Sequence, residues 1–369
     1  MQQTKSTMTW FLTTVALLII IGLIFIYSSS SVFALEKFGS AQYFVKKQLL
    51  GVLLGLMGLM IFSKIPLATL RRFAPLFFFG SLFLTALTLI PQLTLRIHGS
   101  SRWLNLAGFA FQPSELLKVS FVPYLAYLLE KKKFVLSSLA YGFIPFLCIV
   151  GATAGVLLMQ PDFGQAVTLG MTAFILFFIF HTSMRYIMVT LTALIPVLVF
   201  MVVWKPYRFN RILTFLDPWK DPQGAGFQII QSLIAIGSGG ATGVGIAESH
   251  QKFFYLPMQH TDFIFSIIAE ETGFLGASTI IFLYMLFLYF GIKLAWYVKN
   301  TFCWLTVLGF TILITLQAII NLFVATGLTP TKGIGLPFMS YGNSALIGNL
   351  CMIGIIICCV RQDDGEAVT

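Results

Sequence analysis

The chain has 369 residues, 58% of them hydrophobic and only 10% charged, with a formal net charge of +10. About a quarter of a soluble globular domain is charged, so this composition excludes one and indicates an integral membrane protein. Its 38 phenylalanines lie in long apolar runs, which favours helical spans over a porin-like barrel, and the cations form no aromatic-interleaved basic stripe of the kind that binds nucleic acid.

A span needs about 20 mostly apolar residues. The first candidate is 10–34. Its core, Phe11 to Ile26 followed by "SSSSVFAL", can be read as a secretory signal cut near Ala34. It is long for a signal and has only Lys5 ahead of it, so a retained span is expected. Further spans are expected at 45–63, 73–93, 113–130, 138–158, 163–181, 187–204, 263–291, 303–326 and 344–360. The predicted fold class is therefore an all-α polytopic membrane protein of about ten transmembrane helices. It forms a single membrane domain over 1–369, with one long external loop at 205–262 between spans seven and eight. The five cysteines sit in apolar runs without a CxxC pair, so neither a disulfide framework nor a zinc site is expected.

An even span count puts both termini on one side. Lys64, Arg71, Arg72 and the run Lys131 to Lys133 outweigh the cations of the short opposite loops, so both termini are expected in the cytoplasm. The long loop adds Lys205, Arg208, Arg211, Lys220 and Lys252 outside, but long loops cross regardless of charge. These outer cations fit either lipid headgroups or an anionic substrate. The second is favoured, because the same loops hold the rarest polar residues of the chain.

Four outer segments carry those residues. In "HGSSRWLNLAGFAFQPSELLK", Pro113 opens a helix and Glu115 and Lys118 share one face three residues apart, which also suits a capped helix with a local ion pair. Trp103 there also suits an interfacial anchor. In "QPDFGQA", Asp162 suits a helix N-terminus. The long loop contributes "RFNRILTFLDPWKDPQGAGFQ" and "SHQKFFYLPMQHTDF". Between them, 224–246 is apolar and then glycine-rich, as a helix lying at the interface or a re-entrant segment would be. Its "GSGGATGVG" run lacks the GK[ST] ending of a phosphate loop and reads as a close-packed turn. The last segment, "GLTPTKGIGLPFMSYGNSAL", holds Lys332, Ser340, Tyr341 and Asn343.

Asp262 stands at the first turn of span eight, reachable from outside and accompanied by His260. Glu270 is about 12 Å deeper along a helix axis, too far to act with it as one pair. Glu270 and Glu271 point about 100° apart, so they serve different partners; one of them can pair with a buried cation such as Lys118. Burial at a water-poor mouth raises a carboxylate's pKa, nearby Arg and Lys oppose the shift, and the result is a candidate general base for a hydroxyl nucleophile. Arg102, Arg208, Arg211, Lys252 and Lys332 are placed to hold a diphosphate leaving group. The alternative role for Asp262 is a helix cap.

With these motifs, the chain resembles the SEDS family of bacterial cell-wall polymerases, the family of FtsW, RodA and SpoVE. The resemblance spans nearly the whole chain through "RWLNLAGFAFQPSELLK", "QPDFGQA", "RILTFLDPWKDPQGAGFQIIQSLIAIGSGG", "YLPMQHTDFIFSIIAEETGFLG" and "TPTKGIGLPFMSYGNSAL". "DPWKDP" and "SHQKFFYLP" look more like the division branch than the elongation branch. The resemblance implies a peptidoglycan glycosyltransferase of the bacterial inner membrane that polymerises lipid II on its external face, at the division septum. Asp262 matches the family's essential aspartate, and Trp103, Glu115, Lys118, Asp162 and Lys332 match its polar positions. His260 and Ser340 join the candidate substrate-binding set from their segments. The implied partners are lipid II, a class B penicillin-binding protein and other division proteins. No resident cofactor or metal ligand is assigned; a divalent cation, Mg or Mn, is an alternative to the outer cations as holder of the diphosphate.

Two departures from the family pattern stand out. "LPMQH" replaces the usual "LPEAH" at Met258 and Gln259, and Asn343 stands in a "SYGGSS" turn, where asparagine tolerates left-handed backbone. Rival functions are an elongation-type polymerase, a lipid flippase using Glu115, Lys118, Glu270 and Glu271 as a headgroup path, and an inert division scaffold.

Overall fold

The computed structural model describes residues 2–97, 100–106, 109–131, 138–180, 188, 192, 214–224, 226–251, 259–331 and 333–366. Its helices are α1 (Gln2–Phe38), α2 (Tyr43–Lys64), α3 (Leu67–Leu87), α4 (Pro113–Lys131), α5 (Ile144–Met159), α6 (Phe163–Ile179), α7 (Phe227–Ser238), α8 (Ile264–Tyr297), α9 (Thr301–Ala325) and α10 (Asn343–Glu366). Seven of the described helices are long and apolar enough to cross a membrane. Nine of the ten expected spans coincide with helices, α4 and the shorter α6 included. Span seven, 187–204, lies outside the described residues apart from two isolated positions. The protein is a polytopic α-helical membrane protein.

Packing separates central from peripheral helices. In α9 and α10, 72% of the most apolar window is buried within the protein; in α2 and α3 the shares are 22% and 28%. Helices apolar all round occupy a bundle centre, and the exposed apolar faces of the peripheral ones meet lipid. α2 lies close against α10 because glycines clear the way. A Cβ on Gly55 would stand 2.5 Å from Leu350, and one on Gly354 would stand 2.5 Å from the Leu59 carbonyl. α1 packs along α8, so the first apolar run is part of the bundle.

The segment between α3 and α4 was not anticipated. It forms an antiparallel sheet in the order β1 (Thr94–Ile97), β2 (Ser100–Leu106), β3 (Phe109–Phe111), with Thr94 opposite Leu104 and Leu104 opposite Phe111. The strands are too short to show clear alternation in sequence, yet their aromatic and β-branched residues suit a small sheet lying over the bundle mouth. β2 carries Arg102 and Trp103.

α8 is interrupted. At Gly273 the backbone leaves the helix (φ 65°, ψ −161°) and the glycine-rich turn after α7 fills the gap. Val244 and Gly245 donate to the carbonyls of Glu270 and Glu271 (3.0 and 3.1 Å), while Phe274 donates to Gly240 O (2.9 Å). Backbone groups freed inside an apolar bundle need such internal partners. α7 descends beside α8: its Ser232 hydroxyl reaches Ala325 O (2.6 Å) and lies 2.6 Å from that of Ser266. Deeper down, Gly239 abuts Ala269. Of the two readings for 224–246, the re-entrant one holds. The turn's N–H groups serve helix carbonyls rather than a phosphate.

Close approach makes Gly273 irreplaceable: an added Cβ would lie 2.4 Å from Gly243 N, in a backbone region that only glycine adopts readily. Gly273→Ala is expected to cost at least the backbone strain of about 1–3 kcal/mol, lowering the Tm of the detergent-solubilised protein. Gly80→Ala on α3, where nothing lies within 4 Å of the new methyl, is the matched control and is expected to leave Tm unchanged or raised.

Candidate active site

Every backbone carbonyl from His260 to Asp262 is tied to another element. The His260 carbonyl accepts from Tyr341 N–H (2.9 Å), Thr261 O from the Ser340 hydroxyl (2.6 Å), and Asp262 O from Asn321 Nδ2 (2.8 Å). Just before them, Gln259 Nε2 donates to Ser29 O of α1 (2.7 Å). This glutamine, one of the two departures noted in the sequence, ties the turn to a neighbouring helix. Met258 lies outside the described residues. α8 begins with Phe263 at its cap position and has no side-chain cap, so Asp262 does not serve as the helix cap.

Asp162 does cap: it accepts from Gln165 N–H (3.3 Å) at the start of α6. Arg102 reaches over from β2. Its Nη1 lies 3.7 Å from Asp162 Oδ1, Nε donates to Gln160 O (3.4 Å), and Nη2 donates to Pro161 O. The same guanidinium serves Asp262. A Cβ placed on Gly333 would stand 3.4 Å from Asp262 Oδ2 and 3.9 Å from Arg102 Nη1, so this glycine is near both the acid and the cation. Burial pushes the Asp262 carboxyl up to about 7; Arg102 opposes the rise and Asp162 adds to it. Asp162 is also raised, chiefly by burial, with Arg102 pulling it back. The result is a partly exposed carboxylate that exchanges a proton near neutrality, next to a fixed cation.

The other candidates separate. Glu115 and Lys118 form a buried pair on α4 (2.5 Å); Glu115 also accepts from Gln165 (2.6 Å) and Lys118 donates to Gln317 of α9 (3.3 Å). Removing either partner would strand a buried charge at a cost of about 3–5 kcal/mol. Lys118 therefore belongs to Glu115 and not, as one option had it, to Glu270 or Glu271. Glu270 accepts from the Ser249 hydroxyl (2.5 Å) and His250 N–H (2.8 Å), and Glu271 from Ser28 of α1 (2.5 Å). These groups are locked into separate contacts rather than lining one headgroup path.

His260 packs among Phe33, Phe44 and Tyr341, with its ring centroid 4.5 Å from that of Phe44. Burial lowers its pKa to about 4, so it is neutral at pH 7 and offers no charge to a phosphate. Ser340 spends its hydroxyl on the fold, donating to Thr261 O and accepting from Leu336 N–H (2.6 Å each). Trp103 is half-buried in β2 beside the site cation, its carbonyl taken by Thr94 (3.2 Å). Asn343 opens α10 and is not in the left-handed region expected of it. Arg208, Arg211, Lys252 and Lys332 lie outside the described residues.

Among the described residues no three His, Cys, Asp or Glu side chains cluster to hold a metal ion, and Asp162 and Asp262 share one guanidinium. Sequence reasoning missed Gln317 and Asn321. The available signal was two amides four residues apart in an otherwise apolar span, where polar groups are costly.

The sequence matches the FtsW/RodA/SpoVE family of cell cycle proteins across residues 8–364. The chain belongs to that family. Among its relatives is a probable peptidoglycan glycosyltransferase FtsW of Geobacter sp. (strain M18), 42% identical over 91% of this chain and 92% of that protein. Stage V sporulation protein E of Bacillus subtilis (strain 168) is 38% identical over 92% and 93%. The fold is similar to a chain from a peptidoglycan synthase complex that coordinates polymerization and crosslinking (TM-score 0.79, 31% identity, covering 96% of this chain and 97% of that one). It is also similar to the rod shape determining protein RodA of Thermus thermophilus (TM-score 0.70, 26% identity, covering 95% and 96%). Within this FtsW/RodA/SpoVE frame, Asp262 is a partly exposed carboxylate under the influence of the Arg102 guanidinium.

A base works only when ionised, so activity that depends on Asp262 is present above its pKa and lost as pH falls through about 7. Arg102→Gln removes the cation that favours the ionised form. The acid limb of the pH–rate profile is expected to move to higher pH in that variant, by about one unit. Initial rates between pH 5 and 9 check this.

Proposed function

We propose that this protein is a peptidoglycan glycosyltransferase that polymerises lipid II, with Asp262 as general base. The observation that carries the proposal is a partly exposed carboxylate of near-neutral pKa, at the family's aspartate position, under the influence of the Arg102 guanidinium. The names of its relatives support the same activity.

Asp262 takes the proton from the 4-hydroxyl of the acceptor's glucosamine as that oxygen attacks the anomeric carbon of the donor's muramyl sugar. The bond from that carbon to undecaprenyl diphosphate breaks, and the leaving group departs with the electron pair. A single displacement inverts the centre from α to β. The donor brings its own activated leaving group, so no second carboxylate has to act as acid, unlike in glycoside hydrolysis. Arg102 lowers the pH at which Asp262 ionises and supplies positive charge near the developing anion. Arg208, Arg211, Lys252 and Lys332 are the further cations assigned to the diphosphate.

The mouth of the bundle faces outward, with both termini in the cytoplasm, and the enzyme works at the division septum. The FtsW names of its relatives support the division role. Its partner is a class B penicillin-binding protein that cross-links the nascent strand; the similarity to a chain of a synthase complex supports such a partner.

Purified protein with its penicillin-binding partner, given lipid II, is expected to make glycan polymer resolvable on a gel. Asp262→Asn is expected to reduce the rate by about 100-fold or more, the usual scale for a lost base. Polymer made at the wild-type rate by Asp262→Asn would refute the mechanism, and headgroup translocation without polymer would favour a flippase.

A further inference from the structure

The turn that carries Asp262 is joined to the loop at 333–341 by one neutral amide of α9, Asn321, and a second, Gln317, holds the same loop. Gln317 and Asn321 are four residues apart, so they project from one face of this central helix, and both are buried. Asn321 uses one amide nitrogen twice: Nδ2 donates to Asp262 O (2.8 Å) and to Ile334 O (2.7 Å). One turn away, Gln317 Nε2 donates to Gly335 O (3.3 Å), and its carbonyl oxygen accepts from Lys118 (3.3 Å). The strip they grip, Ile334 and Gly335, follows Gly333, where an added Cβ would come within 4 Å of both Asp262 Oδ2 and Arg102 Nη1. A buried amide is costly unless its hydrogens are used, and here both hydrogens of Asn321 go to carbonyls on opposite sides of the site.

We propose that Asn321, steadied by Gln317, is the positioning residue for the general base. Its single –NH2 group sets the spacing between the Asp262 turn and the Gly333 strip. That spacing decides where the carboxylate stands relative to Arg102 and to an incoming hydroxyl. This inference rests on Asp262 being the base. Leucine at this position has nearly the same bulk and no donor. Aspartate has nearly the same shape, turns acceptors toward both carbonyls, and adds an acidic group beside the site. Among the described residues the charges acting on Asp262 are Arg102 from β2 and Asp162 from the turn before α6. α9 contributes only neutral amides, while His260 and Tyr341, in the adjoining turn and loop, pack on each other and on Phe44.

The test measures kcat, KM and the pH–rate profile of lipid II polymerisation for the wild type, Asn321→Leu and Asn321→Asp, with folded fraction determined by size-exclusion chromatography. In Asn321→Leu, kcat is expected to fall about 10- to 100-fold with KM within about twofold, because the substrate still binds but meets a displaced base. The acid limb is expected to move toward the ordinary carboxylate range in Asn321→Leu, as water reaches a loosened Asp262. It is expected to move upward in Asn321→Asp, where a second acid disfavours ionisation; each shift should be about one pH unit. A wild-type profile with no acid limb near neutrality defeats the general-base reading itself. A wild-type limb that stays in place in both variants, with kcat falling only as the folded fraction falls, overturns the positioning role alone. So does failure of both variants to fold, which would make Asn321 a purely structural residue.

Discussion

The site depends on how a non-helical turn is held at the mouth of an apolar bundle. Residues 259–263 have no regular ladder of their own, and an unpaired carbonyl in such surroundings is costly. The carbonyls of His260, Thr261 and Asp262 are met by a backbone N–H, a serine hydroxyl and an asparagine amide from the α9–α10 end of the bundle. Satisfying the backbone and aiming the carboxylate are therefore the same act. The turn cannot shift without breaking bonds to two helices and a loop, which is the rigidity a proton-transfer group needs.

Charge is distributed by the same rule. Most acidic side chains near this end are already committed. Asp162 caps α6 and faces Arg102, Glu115 neutralises Lys118, Glu270 gathers the N–H groups of the returning re-entrant segment, and Glu271 accepts from α1. Asp262 is different, being partly exposed and leaving the capping of α8 undone. Desolvation and the Arg102 guanidinium pull its proton affinity in opposite directions and leave it near neutrality. A carboxylate further out would be a weaker base; one without the guanidinium would ionise only at higher pH.

The re-entrant segment connects the depth of the bundle to its mouth. Breaking α8 at Gly273 frees backbone groups, and the glycine turn at 239–245 fits because its residues lack side chains where the two backbones meet. The Glu270 carboxylate then accepts from the Ser249 hydroxyl and the His250 N–H that follow the turn. Two carboxylates inside a span thus fasten different neighbours, Glu270 the end of the re-entrant segment and Glu271 the helix α1.

Much was legible in the linear chain. The apolar runs located nine helices that the structure describes, since the length of a span is dictated by bilayer thickness. Pro113 marked the start of α4, the spacing of Glu115 and Lys118 put them on one face, and Asp262 stood out as a shallow acid. The helical geometry that separated Glu270 from Glu271 also held. The β1–β3 sheet, the break in α8 and the grip of Gln317 and Asn321 were not legible, because each depends on a partner far along the chain. Ser340 and His260 looked like ligands for substrate by their company in sequence, yet one is spent on backbone bonds and the other is enclosed by aromatic rings. Local composition and periodicity by themselves determined that this chain crosses a membrane and which residues are costly enough to need a purpose. Only the tertiary structure decided which of them are consumed by one another and which carboxylate stays partly exposed, because hydrogen bonds and desolvation depend on neighbours that sequence distance does not measure.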